Sequence, residues 1–232
     1  MDKADDRPTI PPSRSEAEGQ GSDELLSERA FRHLEEAIVT MRLAPGALLS
    51  ETGIARELGI GRTPVREALQ RLRLEGLVQV LPKRGVLVSD INPQQQLRLL
   101  ELRRAVEGLM AGLAAQRATP AERAAFADLA DRFAAARDGG GELAFMQADR
   151  EFNLLLSQAC HNEYCERVMA SVHGLSRRFF FKYRAIANLS VTAENHRRVA
   201  EAVAAGDAGA AAEAMERLMD HNEDFTLRSL RH

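Results

Sequence analysis

The segment 59–78, GIGRTPVREALQRLRLEGLV, leaves this chain little freedom. Gly59 and Gly76 bracket it. Between them Val65, Ala68, Leu69 and Leu72 recur at i, i+3, i+4 and i+7, the apolar stripe of a helix packed on a core. Pro64 suits the first turn, where a missing N–H costs nothing, and Gly61 or Thr63 can stand as the cap. Arg62, Arg66, Gln70 and Arg73 fall about four residues apart on another face and form a polar ridge. Taken alone, such a ridge is an ordinary solvated helix face.

The flanking sequence gives the ridge a role. Phe31, Leu34, Ile38 and Met41 recur at helical spacing and predict a helix over 26–41, ended by Pro45-Gly46. Ser50 caps a second helix running to Leu58, and Gly59 turns it directly into the quoted segment, as a helix-turn-helix requires. After Gly76 the period shortens to two. LVQVLPKRGVLVSD predicts strands at 78–81 and 86–88 around a Pro-Lys-Arg-Gly tip. Between Arg42 and Val86 eight Lys/Arg stand against four Asp/Glu, in a chain whose formal net charge is −3. The second helix of a helix-turn-helix enters the major groove, and Lys83 and Arg84 sit on a wing that can reach backbone or minor groove. Helix order, local charge and basic tip agree on a DNA-binding winged helix over 25–90.

The remainder reads differently. Residues 1–24 are polar, rich in Pro, Gly and Ser, and predict a disordered tail with no apolar signal-peptide core. Residues 91–93 form a linker. From 94 to 230 no strand signal occurs; helices fit 94–117, 121–137, 142–160, 163–186, 192–205 and 208–229, an all-α six-helix bundle. The fold class is therefore mainly α. At 45% hydrophobic and 28% charged residues, with no membrane-length apolar run, the expectation is a cytoplasmic protein without a membrane partner. Cys160 and Cys165 are too few and too close for a disulfide framework and read as packing residues. SRRFFFKYR, 176–184, reads as a core helix with phenylalanines inside and charges outside; pocket wall and dimer contact are its other readings.

The order Arg62-Thr63-Pro64-Val65-Arg66-Glu67-Ala68-Leu69, Glu75-Gly76-Leu77 and Pro82 to Gly85 resembles the winged helix of the GntR family of bacterial transcription regulators. One departure is Gly61, where the family commonly carries serine or threonine. The resemblance implies that Arg62, Thr63, Arg66, Gln70, Lys83, Arg84 and Gly85 meet DNA. Glu67 is expected to hold a neighbouring arginine or helix end. The helical half, opening with ELRRAVEGLMAGLAAQRAT and closing with ENHRRVAEAVAAGDAGAAAEAMERL, resembles the effector-binding and dimerisation domain of the FadR subfamily, and its six helices the VanR-like branch.

That resemblance implies a divalent metal ion (zinc, nickel or manganese) held by an aspartate and three histidines. The matching positions here are Asp149, Asn153, His196 and Leu218, with His221 or Asn222 able to compensate one turn later. The other reading is a metal-free polar pocket in which Asp149 and His196 bond each other. Arg103 matches a family arginine that faces the cavity and suits a carboxylate; a salt bridge to a glutamate is its alternative. The expected effector site is Arg103, Asp149, Asn153 and His196, and the expected effector a small organic acid. The function implied is a ligand-responsive regulator, a repressor, binding an inverted-repeat operator as a homodimer. A constitutive DNA-binding protein whose helical half only dimerises is the alternative. A metal hydrolase using Asp149, His196 and His221 lacks any nucleophile constellation, HExxH pair or Gly-rich phosphate loop.

Overall fold

The computed structural model describes residues 25–82 and 84–231. The tail expected over 1–24, and Lys83, lie outside the described residues. The chain divides into two compact units, Met1–Ile91 and Asn92–His232.

In the first unit α1 (Leu26–Val39) packs on α3 (Arg62–Leu74), with α2 (Glu51–Leu58) between them in sequence. Phe31, Leu34 and Ile38 of α1 and Val65, Leu69 and Leu72 of α3 are all buried. α1 ends before the Met41 expected from its spacing, because Met41 adopts φ 60° and cannot continue a helix. Ser50 caps α2, its Oγ accepting from the Gly53 N–H at 2.9 Å. Gly59 closes α2 in the left-handed region, at φ 64°. Gly61 precedes α3 with no side-chain cap, so the departure from serine or threonine removes one hydrogen bond at that terminus.

The wing is a three-stranded sheet rather than the expected hairpin. β2 (Val78–Leu81) and β3 (Gly85–Val88) pair antiparallel from Val78↔Val88 to Leu81↔Gly85. β1 (Leu48–Leu49) pairs with the other edge of β3, giving the order β1-β3-β2. Two residues are too few to show a period of two, which is why β1 leaves no trace in the pattern. β1 also explains Gly85. It sits at φ +107°, and a Cβ there would stand 2.8 Å from the Leu49 carbonyl oxygen.

The second unit, among its described residues, is wholly helical: α4 (Pro93–Arg117), α5 (Pro120–Ala135), α6 (Gly141–Ala159), α7 (Glu163–Tyr183), α8 (Leu189–Ala205) and α9 (Ala208–Ser229). α4 packs on α9, α5 on α8, and α8 on α9. Side chains cap five of the six helices: Asn92, Thr119 in a capping box with Glu122, Asn162, Asn188 and Asp207. α8 begins three residues before the expected 192 because Asn188 caps it. α6 has no side-chain cap. A widened turn, Ala136–Gly140, leads into it, with Gly139 at φ 116° and Gly141 at φ 86°.

One packing expectation is overturned. In 176–184 the charges are not all outside: Arg177 and Arg178 are buried in α7, whereas Lys182 is exposed. Carboxylates inside this unit, Glu107 and Asp149, make an interior arginine tolerable. Among the described residues, no helix is long and apolar enough to cross a membrane.

Candidate functional site

Two regions gather the residues singled out in the sequence, one in each unit. In the first, Arg62, Thr63, Arg66 and Gln70 are all exposed on α3, with Arg73 continuing the ridge. Arg84 is exposed at the wing tip, and Gly85 opens β3 beneath it. Arg71 belongs elsewhere. Its guanidinium lies 3.6 Å over the Phe31 ring and pairs with Glu28 at 2.7 Å and Glu75 at 3.3 Å, which ties α3 to α1.

The acid that holds the ridge arginines is Glu51 on α2, not Glu67. Arg66 Nη2 lies 2.9 Å from Glu51 Oε2, and Arg66 Nε lies 3.3 Å from each oxygen. Arg62 Nη2 lies 3.5 Å from the same Oε2. The hydrogen bond from Arg66, with the charge of both arginines, outweighs desolvation and holds the Glu51 carboxyl below its ordinary range. Fifteen residues separate Glu51 from Arg66, so no local spacing in the sequence announces this pairing.

In the second unit Arg103, Asp149, Asn153 and His196 line one cavity. Asn222 joins them, while Leu218 is buried in the core and is not on the lining. The pocket-facing position on α9 is therefore the second of the two one-turn-later alternatives. His221 is not on the lining either; its Nε2 stands 2.9 Å from the Thr192 hydroxyl. Burial and the neighbouring His196 and Arg228 charges push its imidazole below the ordinary value. Phe145, Phe179, Phe180 and Phe225 supply an aromatic wall.

The polar groups of the cavity form two poles. At one, His196 Nε2 lies 3.1 Å from Asp149 Oδ1 and Nδ1 donates to the Thr192 carbonyl at 2.8 Å. With Nδ1 on the backbone carbonyl, Nε2 is the ring nitrogen that faces the carboxylate. Phe133, Phe145 and Phe152 surround the imidazole at centroid distances of 5.1, 5.3 and 5.7 Å. Burial pushes the Asp149 carboxyl up, but His196, Arg177 and Arg103 together bring it below its ordinary value.

At the other pole Arg103 donates to Glu107 through Nε at 2.7 Å and Nη2 at 3.0 Å. Both residues are buried, so Arg103 faces the cavity and is salt-bridged at once. His173 Nε2 lies 3.3 Å from Glu107 Oε1. Burial pushes the Glu107 carboxyl up, yet Arg103 and His173 outweigh it and hold the group at about 2. Glu107, His173 and the pocket-lining Arg177 were not among the residues expected at the site. The Arg103–Glu107 spacing of four is the one signal that pointed there, and it is common on any helix.

The donor set does not fit a zinc, nickel or manganese centre of the implied kind. Asp149 and His196, 3.1 Å apart, are the two ionisable donors of the set. Asn153 and Asn222 offer only neutral amides. Among the described residues no group of three or more His, Cys, Asp or Glu could hold a metal ion.

The helix-turn-helix and wing match the family model "Bacterial regulatory proteins, gntR family" over residues 26–88, and the helical unit matches the "FCD domain" over 98–221. An uncharacterized HTH-type transcriptional regulator in an unstable DNA locus of Streptomyces ambofaciens is 36% identical over 80% of this chain and 78% of its own. The HTH-type transcriptional repressor RspR of Escherichia coli K12 is 34% identical over 42% of each chain. The structure of E. coli McbR/YncC shares the fold, with a TM-score of 0.73 over 90% of this chain and all of its own, at 24% identity. These relatives are named as transcription regulators, not enzymes, and the chain belongs to the GntR family of bacterial DNA-binding transcription regulators with an FCD domain.

Proposed function

We propose that this regulator binds an inverted-repeat operator as a homodimer and releases it when a small organic acid enters the helical unit. The observation that carries the reading is the cavity itself. Two buried arginines, Arg103 and Arg177, line it with Asn153, Asn222 and a phenylalanine wall, which suits an anion on an apolar body. Repression is the sense carried by the name of one relative, RspR. The six helices of the second unit support a place in the VanR-like branch of the FadR subfamily.

The homodimer has its own support. Leu102 and Leu109, two turns apart on α4, are 41% and 53% exposed, and Val168 is exposed on α7, which packs against α4. Exposed apolar residues of this kind, closed by a two-fold axis, would bring two winged helices to two half-sites. Such a protein works in the cytoplasm, where its DNA lies.

A library of aliphatic and aromatic monocarboxylates tests the effector. A binder should raise the melting temperature and weaken the retarded band of an operator duplex, and Arg177→Ala should abolish both responses. If no acid shifts either, the organic-acid reading falls and the constitutive alternative takes its place.

A further inference from the structure

We propose that Glu51 is a positioning residue for DNA reading, clamping one edge of the Arg66 guanidinium so that the opposite edge is held out for a guanine. The inference rests on the reading of α3 as the DNA-reading helix.

The cap of α2 does not use this side chain. Ser50 already caps the helix, and the third helical residue is Gly53, so there is no capping box for an acid to complete. The Glu51 carboxylate turns instead towards α3. It takes Arg66 through Nε and Nη2 and lies within 3.5 Å of Arg62 Nη2. A guanidinium carries five N–H groups in a rigid fork. With the Nε–Nη2 edge on Glu51, the N–H groups of Nη1 and the remaining one of Nη2 are left on the far side. Two parallel N–H groups are what a bidentate contact to guanine O6 and N7 requires.

Charge argues the same way. An acid beside a phosphate-binding ridge weakens non-specific attraction, so its place there is not explained by affinity. Holding an exposed, rotamer-rich arginine in its reading pose before DNA arrives removes an ordering cost from the specific complex. The non-specific complex, in which the arginine meets only phosphate, gains nothing from the pose.

The test uses the full chain and two probes: a duplex selected by the wild-type protein from random sequence, and poly(dA-dT), whose major groove has no paired O6 and N7 acceptors. Glu51→Ala and Glu51→Gln are compared with wild type by fluorescence anisotropy over a series of salt concentrations, with thermal melts alongside. The expected result is a fall of about ten-fold or more in affinity for the selected duplex with Glu51→Ala. Affinity for poly(dA-dT) should hold or rise, and the melting temperature should stay near wild type. Glu51→Gln, which keeps one acceptor oxygen, should fall between. An equal rise on both probes would mean that Glu51 merely repels phosphate and would overturn the proposal. An equal fall on both, with a lowered melting temperature in both variants, would assign Glu51 to the fold and overturn it too. A wild-type chain that selects no sequence would sink the DNA-reading assignment of α3, and the clamp with it, before any variant is compared.

Discussion

Glu107 accepts two hydrogen bonds from Arg103, at 2.7 and 3.0 Å, and both side chains are buried. They lie one turn apart on α4, the helix that packs against α9, α7, α8 and α6. A buried pair of this kind adds little over a well-packed apolar pair, but removing one partner strands the other.

Glu107→Ala should therefore destabilise the protein by about 3–5 kcal/mol, read from urea denaturation. The pair also sets an acid limit. The folded carboxyl titrates at about 2 against an ordinary 4.5, so its stabilisation is complete above the ordinary value and is lost as pH falls through about 2. Between about pH 5 and pH 2 the chain should lose about 3 kcal/mol through this group, and Glu107→Gln should flatten that slope. A wild-type slope unchanged in Glu107→Gln would show that other carboxylates govern acid unfolding.

Arg66→Ala removes an exposed side chain whose recorded partner is Glu51. Its melting temperature should stay at the wild-type value, while affinity for a selected operator should fall about ten- to a hundred-fold in a gel-retardation titration. Wild-type affinity and footprint in this variant would show that α3 docks differently.

Gly85→Ala forces a left-handed backbone on a residue with a Cβ and drives that carbon against the Leu49 carbonyl oxygen. The expected cost is about 1–3 kcal/mol, measured by thermal denaturation of the first unit's transition. Because the strain falls on the β1–β3 pairing, amide protection should drop at Leu49 and Val86 before it changes in α3.

Dialysis against EDTA should leave the melting temperature within about 1 °C of its starting value, since a chelator acts on stability only by removing a bound ion. The double variant Asn153→His with Asn222→His places two imidazoles on the lining that also holds Asp149 and His196. It should take up about one equivalent of zinc per chain, by elemental analysis. A wild-type protein that already carries an equivalent of zinc, nickel or manganese would refute the metal-free assignment.

The units differ in how much their sequence discloses. Around α3, apolar spacing, Gly59 and the Ser50 cap all act within a few residues, and the helix-turn-helix is legible at once. In the second unit the starts after Asn92, Thr119, Asn162 and Asp207 were legible for the same reason, whereas the start at Asn188 was placed three residues late. β1 was not, because its two residues form a strand only through the edge of β3. Glu51 and Glu67 show the limit most plainly. Sequence proximity favours Glu67, three-dimensional proximity selects Glu51, and nothing short of the turn geometry distinguishes them. In the pocket, Asp149 and His196 came from a pattern, whereas His173 and Arg177 came to it through the packing of α7. The expectation that α7 carries its charges outside failed at Arg177, whose charge acts on the interior carboxylate Asp149 of α6, and at Arg178, which is buried as well.

α6 is the helix of its unit that begins without a side-chain cap, with Gly139 just before it and its own Gly141 at positive φ, and it carries Asp149 and Asn153. Its first turn is tied to the rest by a surface pair, Glu142 with Arg184 at 2.9 Å. A missing cap lowers the cost of fraying by about 1 kcal/mol. Deuterium should thus enter α6 from its N-terminus sooner than it enters α5, α7, α8 or α9. A molecule grasped by Asp149 or Asn153 would slow that uptake, so isotope exchange along one helix can report occupancy of the cavity without any DNA in the tube.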